Sequence, residues 1–372
     1  MYWEYQQPVK IVFGNDSRKK ISKLAQKIGC RKGVLICDRF LTESGVAEEL
    51  MRLSEGQITD VFSDFQPNPT VRNIDDFAAF VRASNADYVV AAGGGSCMDC
   101  AKAAAAIAHT DDSITKYHAT GVALPEGGLP LFALPSTAGT GSEVTAVSVV
   151  TNEEKGIKAP IVSDAFYPEY AIVDPVLTYS VPPKVAAATG LDVLAHAIEG
   201  FYSRNHQPIC DILAAQAIKL VFTYLERACA AEVDKQAKEM MAQASLLAGL
   251  SFNLPKTGAS HACSFVLTNR YHIPHGEACA LTLDYFTRLC KEAEDGRLDT
   301  LAREIGFADT DALCDRIYEI KKNTGLRTDL KDLNLSDADI DLLVKESRHP
   351  NMLNAPVEIT DDMLYQMYRS FR

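Results

Sequence analysis

Asp87-Tyr88-Val89-Val90-Ala91-Ala92-Gly93-Gly94-Gly95-Ser96 is the stretch that decides the fold. Its apolar half reads as a short buried strand. Three glycines end that strand, and an alanine-rich helix, clearest at 101–108, follows. Glycines let a backbone approach a pyrophosphate closely. The free N–H groups and positive dipole end of a following helix then favour the anion. The run is not the spaced dinucleotide fingerprint, so a plain structural turn stays open as a reading.

Working outward, the same alternation repeats. Strand-like runs at 9–14, 33–38 and 60–65 are separated by helical periodicity at 17–28 and 71–84. Such alternation predicts a parallel sheet with crossover helices. The strand 131–134 runs into a second loop, Pro135-Ser136-Thr137-Ala138-Gly139-Thr140-Gly141-Ser142-Glu143. Two Gly/Ser/Thr-rich loops after two strands suit a diphosphate at the carboxyl ends of the sheet. Asp38 closes an earlier strand, where it could bind a ribose 2′-hydroxyl or simply occupy a surface turn. Beyond about residue 180 strand signals vanish, and helical stretches at 184–202, 211–230, 235–252 and 276–292 dominate. The expected fold is an α/β doubly wound dinucleotide-binding domain over 1–180, followed by an all-α metal-binding and catalytic domain over 181–372.

The helix 184–202 carries Asp192 and His196 in an apolar setting. A spacing of four puts both side chains on one helix face. Buried there alone they are costly. His261 and His275 follow in His261-Ala262-Cys263-Ser264 and Pro274-His275-Gly276. One Asp and three His make a shell for one divalent cation with a vacant position. An Asp/His pair at this spacing is common, so one satisfied core histidine among unrelated polar residues stays open as an alternative.

The 372 residues suffice for two domains, and a hydrophobic content of 47% with 23% charged residues suits an ordinary globular protein. A net charge of −12 argues against nucleic acid or an anionic membrane as partner. Met1-Tyr2-Trp3-Glu4-Tyr5-Gln6-Gln7-Pro8 lacks a basic region followed by an apolar core, so no signal peptide is expected. No apolar run approaches about 18 residues, so no membrane span is expected either. The ten cysteines are scattered, which suits free thiols in a reducing cytoplasm. Cys97 and Cys100 have the spacing of a redox or zinc pair but no second pair.

Five stretches together resemble the iron-containing, group III alcohol dehydrogenases: 93–102, 135–145, Pro168 with 172–175, 186–199, and His261 with Pro274-His275-Gly276. The resemblance implies Fe2+, or alternatively Zn2+, held by Asp192, His196, His261 and His275. It implies NAD(H) bound by Asp38, Gly94, Gly95, Ser96, Asp99, Ser136, Thr137, Thr140 and Lys158. Many members carry a further histidine four residues after the third ligand. Phe265 stands there in this chain, so that proton-relay role does not carry over, and His272 is the substitute candidate for a catalytic residue.

The segments 253–268 and 273–283 are similar to the phosphonoacetaldehyde and sulfoacetaldehyde reductases of the family. That implies reduction of a short anionic aldehyde. Lys256 and Thr257, one helical turn before His261, or Arg270 could hold the anion, and an exposed Lys-Thr helix start stays open as the other reading. Alternatives are a general short-chain alcohol or diol dehydrogenase and, in another class, a catalytically silent binding or sensor protein. The resemblance also implies a homodimer.

Overall fold

The computed structural model describes residues 3–291 and 295–372. The chain forms two compact units. One holds Gln6–Thr137 and Gly141–Tyr179; the other holds chiefly Ala138–Thr140 and Ser180–Arg372.

In the first unit the strands are β1 (Lys10–Phe13), β2 (Gly33–Cys37), β3 (Ile58–Phe62), β4 (Tyr88–Gly93), β5 (Leu131–Pro135), β6 (Val147–Asn152), β7 (Ile157–Val162) and β8 (Tyr170–Val173). Six form a wholly parallel sheet in the order β1-β8-β5-β4-β2-β3. Helices α1 (Ile21–Lys27), α2 (Arg39–Glu43), α3 (Val46–Leu53), α4 (Val71–Ser84) and α5 (Gly95–Ile107) join them. Every residue of β2, β4 and β5 is buried, as expected of strands covered on both faces. The doubly wound reading therefore holds. The chain leaves β2 for β3 on one side and crosses to β4 and β5 on the other, so the winding reverses between β2 and β4. Ligands bind open α/β sheets at that reversal, beyond the carboxyl ends of the strands. The register Cys37↔Ala92 puts Asp38 and the three glycines side by side there.

Helix α4 runs over the span its periodicity predicts, because Thr70 caps it: the Thr70 hydroxyl accepts the Asn73 N–H, and Asn73 accepts the Thr70 N–H. The strand expected at 60–65 lies earlier, at Ile58–Phe62, because pairing begins where Gly33 opens β2. The antiparallel hairpin β6–β7 was not expected. Cys97 and Cys100 are both buried on α5, and the Cys97 thiol donates to Ile36 O and Ala92 O, so this pair packs rather than binding a metal together.

The second unit is built from α6 (Pro183–Tyr202), α7 (Pro208–Ala228), α8 (Lys235–Phe252), α9 (Ala259–Tyr271), α10 (His275–Cys290), α11 (Arg297–Glu304), α12 (Thr310–Asn323), α13 (Asp337–Ser347) and α14 (Asp361–Phe371). Glu292, the expected end of α10, lies outside the described residues. Helix α7 is long and apolar enough to cross a membrane by length and composition alone, a property that core helices share. One face of it, including Ala214, Ala217, Ile218, Val221 and Leu225, is buried in the helical core.

Two glycines set how closely these helices approach. A Cβ on Gly190 would lie 2.3 Å from Leu225 Cδ1, so α6 and α7 touch nearly backbone to side chain. A Cβ on Gly276 would lie 2.2 Å from Ala188 O and 3.0 Å from Asp192 Cβ. The first turn of α10 therefore rests on the α6 backbone, and this contact brings His275 to Asp192. Gly276→Ala must push the two helices apart. We expect it to cost about 1–3 kcal/mol in denaturant unfolding and to lower bound metal even in the folded fraction; metal content equal to wild type would show that the helix spacing does not matter to the site.

Candidate functional site

Asp192, His196 and Glu199 occupy one face of α6 and are all buried. His261 comes from the first turn of α9 and His275 from the first residue of α10. Asp192 Oδ1 is 3.5 Å from His261 Nε2 and 3.9 Å from His275 Nε2. His196 stands on the other carboxylate oxygen, with Nδ1 3.9 Å from Asp192 Oδ2. Its ring stacks on Phe252 at 4.1 Å and lies 4.5 Å from the His261 ring. The structure thus gathers all four expected ligands. The donors that converge within 4.8 Å of one another are those of Asp192, His261, His275 and, not foreseen, Cys279.

Whether this group fits a cation is tested by its hydrogen bonds. Asp192 Oδ1, His261 Nε2 and His196 Nδ1 are buried and have no hydrogen-bond partner. Leaving such groups unmet in an apolar interior is expensive. One divalent cation among the converging donors would meet Asp192 Oδ1 and His261 Nε2, so these residues fit it, with His196 Nδ1 beside the other oxygen of Asp192. Burial opposes the charge of Asp192, but His196 and the other two imidazoles outweigh it and hold the carboxyl far below its usual range. Burial keeps His196 neutral, with its pKa pushed down to about 4, the state in which an imidazole ligates.

Glu199 was not assigned a role from sequence. Its Oε1 accepts the Ser260 N–H at 2.6 Å and the His261 N–H at 3.3 Å, and its Oε2 pairs with His261 Nδ1. The carboxylate therefore caps α9 and turns His261 Nε2 toward Asp192, the carboxylate–histidine–metal arrangement. Burial opposes its ionisation, yet His261 and the N–H bonds hold its pKa below the ordinary value. The signal was present in sequence: 192, 196 and 199 are spaced i, i+4, i+7.

In the first unit, Gly94 is the N-cap of α5, and Gly95 and Ser96 begin it. Asp38 Oδ2 accepts the Gly94 N–H at 2.8 Å. A Cβ on Gly93 would lie 2.6 Å from that same oxygen. Ser136 also bonds Asp38, and burial as the largest influence raises the pKa of the acid. A Cβ on Gly94 would stand 3.6 Å from Thr137 Oγ1, so the two loops adjoin. Ser96 Oγ accepts the Asn68 N–H at 3.0 Å, and Lys158 Nζ donates to Asn68 Oδ1 at 2.9 Å. Asn68, in a left-handed conformation, links these two expected residues and was missed. Asp99 also turns toward the second loop. Its oxygens accept from Ser142 Oγ and the Val149 N–H, both at 3.1 Å, so it shapes the second loop. Lys102, wholly buried, does the same through Ser142 Oγ (2.7 Å), Thr145 Oγ1 (3.2 Å) and Val147 O (3.0 Å). Thr140 falls in the short segment that packs with the helical unit.

The expected anion-holding and proton-donating residues divide. Arg270 is exposed in the last turn of α9 and is spoken for by a two-nitrogen ion pair with Glu346. His272 is exposed and ends α9 in the left-handed conformation, about 16 Å along the axis from His261 at 1.5 Å per residue. Neither belongs with the buried cluster. Lys256 is half-buried, takes a φ of 67°, and donates from Nζ to Asn253 O at 2.6 Å. Thr257 Oγ1 accepts from Asn351 Nδ2, and Thr257 O from Asn354 Nδ2, both at 2.8 Å. The Phe265 ring lies 6.3 Å from that of His275 and 4.9 Å from that of His349. His349 Nδ1 accepts the Asn351 N–H at 3.2 Å, which leaves Nε2 as the protonated nitrogen of the neutral ring. Sequence spacing gave no sign of His349, which lies 84 positions beyond Phe265.

Comparison with known proteins agrees with this geometry. Iron-containing alcohol dehydrogenase matches residues 8–175, and the C-terminal part of the Fe-containing alcohol dehydrogenase family matches residues 186–371. The chain belongs to the iron-containing alcohol dehydrogenase family and is an oxidoreductase of that class. The crystal structure of sulfoacetaldehyde reductase from Bifidobacterium kashiwanohense in complex with NAD+ is 56% identical, covers 100% of this chain and 99% of that one, and superposes with a TM-score of 0.98. Alcohol dehydrogenase 4 of Schizosaccharomyces pombe is 32% identical over 366 residues, 96% of this chain and 86% of its own length. The 1,3-propanediol dehydrogenase of Klebsiella pneumoniae is 34% identical over 350 residues, 91% of this chain and 90% of its own.

Glu199 offers a test of the site that does not touch a ligand. Glu199→Gln removes the charge that orients His261, and metal affinity should drop roughly 10- to 100-fold. Chelator competition reads this directly, with circular dichroism to verify the helical content; an unchanged affinity would deny Glu199 its orienting role.

Proposed function

We propose that the protein is a metal-dependent, NADH-linked reductase of short aldehydes that carry an anionic group, a sulfonate first and a phosphonate second. The observation that carries the substrate class is Lys256. Its ammonium is half-buried, burial draws its pKa below the usual lysine range, and it meets one carbonyl but no carboxylate among the described residues. A non-glycine residue at φ 67° is strained by about 1–3 kcal/mol, a cost often met at functional positions. The 56% identity to a sulfoacetaldehyde reductase bound to NAD+ supports the same substrate and cofactor. The named relatives that are alcohol and diol dehydrogenases keep a general short-chain activity as the second reading.

In this reading Asp192, His196, His261 and His275 hold the cation, iron or alternatively zinc. When bound, the metal supplies a Lewis acid for the carbonyl oxygen and the dinucleotide supplies the hydride. Glu199 fixes the tautomer of His261. Lys256 and the Thr257 hydroxyl orient the substrate through its anion. Phe265 keeps water from the face of His275, and His349, with its proton on Nε2, is the better-supported proton source than His272. The glycine turn, Ser96, Ser136, Thr137, Thr140 and Lys158 take the dinucleotide, and Asp38 takes a ribose diol. The two units act as domains dividing near residue 180, nucleotide-binding and catalytic. The ten dispersed thiols suit a cytoplasmic setting. A homodimer is supported by β1, an outer strand of the sheet that leaves Ile11 and Phe13 exposed.

Two measurements check this reading. A charge-assisted bond is worth roughly 1.5–3 kcal/mol, so Lys256→Ala should lower kcat/KM for sulfoacetaldehyde or phosphonoacetaldehyde about ten- to hundredfold. Turnover of propanal should hardly change; an equal loss on both substrates would leave the general dehydrogenase as the better description. Asp38→Asn keeps an acceptor for the Gly94 N–H but removes the charge that repels a 2′-phosphate. It should narrow the preference for NADH over NADPH by at least about tenfold, ~1.4 kcal/mol, and a wild type that already uses NADPH equally well rules the assignment out.

A further inference from the structure

Cys279 lies one helical turn after His275 on α10 and is wholly buried. A spacing of four puts both on one face, as it does Asp192 and His196 on α6. Asp192 on α6, His261 on α9, and His275 with Cys279 on α10 each bring one donor atom to the same cluster. Cys279 Sγ is 3.8 Å from His275 Nε2. The donor atoms of Asp192, His261, His275 and Cys279 all lie within 4.8 Å of one another. Metal–nitrogen bonds near 2.0–2.1 Å and metal–sulfur bonds near 2.3 Å put neighbouring donors of a tetrahedral shell about 3.3–3.7 Å apart. The separations here are 3.5, 3.8 and 3.9 Å, one within that range and two just above it. A buried thiol is otherwise a common packing group. The independent sign is that Asp192 Oδ1 and His261 Nε2, both buried, lack any hydrogen-bond partner, and both belong to the group that Sγ completes.

We propose that Cys279 is itself a metal ligand in the substrate-free enzyme, giving a mixed oxygen, nitrogen and sulfur shell. This rests on the metal site of the preceding section and adds a donor to it. The sulfur binds as thiolate, and its proton leaves to solvent as the cation enters. No oxidation or reduction is involved. A thiolate softens the site, so it shifts the relative preference from Fe2+ toward Zn2+ and similar borderline-soft cations.

The experiment loads the full-length protein with Co2+ and records its absorption without substrate. A sulfur-to-cobalt charge-transfer band in the near ultraviolet is expected, accompanied by the visible ligand-field bands. Cys279→Ser should lose the first and keep the second, whereas Cys263→Ser, on the neighbouring helix, should keep both. Chelator competition should find zinc affinity lowered at least about tenfold in Cys279→Ser, with a smaller change for Fe2+. Visible bands without a charge-transfer band in wild type would overturn the proposal and leave the Asp/His site standing. Failure of wild type to hold one equivalent of Co2+ would overturn both. The wild-type spectrum decides even if a cysteine variant does not fold.

Discussion

A carboxylate, Asp192, sits almost wholly out of water in an apolar helical core, and much of the second unit is arranged around that fact. An unpaired buried charge is among the costliest features a fold can carry. Here it is answered from three helices. His196 comes from the same helix one turn on, His261 from α9 and His275 from α10. The answer requires α6 and α10 to approach at backbone distance, which is why Gly276 faces Ala188 O without a side chain. It also requires His261 to be turned correctly, which Glu199 does from within the same buried face.

The first unit solves a different problem, how to leave backbone donors free at a defined place. Parallel strands satisfy their own N–H groups, but the start of a helix cannot. Reversal of the winding between β2 and β4 puts such a start, Gly94 to Ser96, beside the carboxylate that ends β2. Asp38 thus serves the fold by holding the glycine turn, besides any service to a ribose. Asp99 and Lys102 act one step behind it. They are buried or half-buried on α5 and bond the loop around Ser142 and the start of β6. Much of the polar chemistry in this unit is therefore positional.

At Phe265 the surroundings of the third ligand position are aromatic. The Phe265 ring stands between those of His275 and His349, 6.3 Å from the first and 4.9 Å from the second. The segment after α13 then supplies polar side chains, with Asn351 and Asn354 bound to Thr257. Lys256, next to Thr257, remains a cation without a carboxylate partner among the described residues.

Period and local spacing make much of this legible in the amino-acid sequence. Alternating apolar runs with glycine-rich ends announced the parallel sheet, because strands buried on both faces are necessarily short and apolar. Asp192 and His196 could be paired by eye, since four residues on a helix is a distance as well as a count. His261 and His275 could be added because the motifs around them resemble a known family. Other features were not legible because they join residues far apart in the chain. Cys279 and Glu199 gain meaning only once α6, α9 and α10 pack. Arg270 and His272 lie near the ligands in sequence but end α9 on the solvent side, while His349 comes from a distant segment. Sequence by itself determined the periodicity, the elements and one face of each helix, all of which depend on neighbours a few residues away. Only the tertiary structure decided which faces meet, since that depends on side-chain volumes summed over helices that no short-range pattern connects.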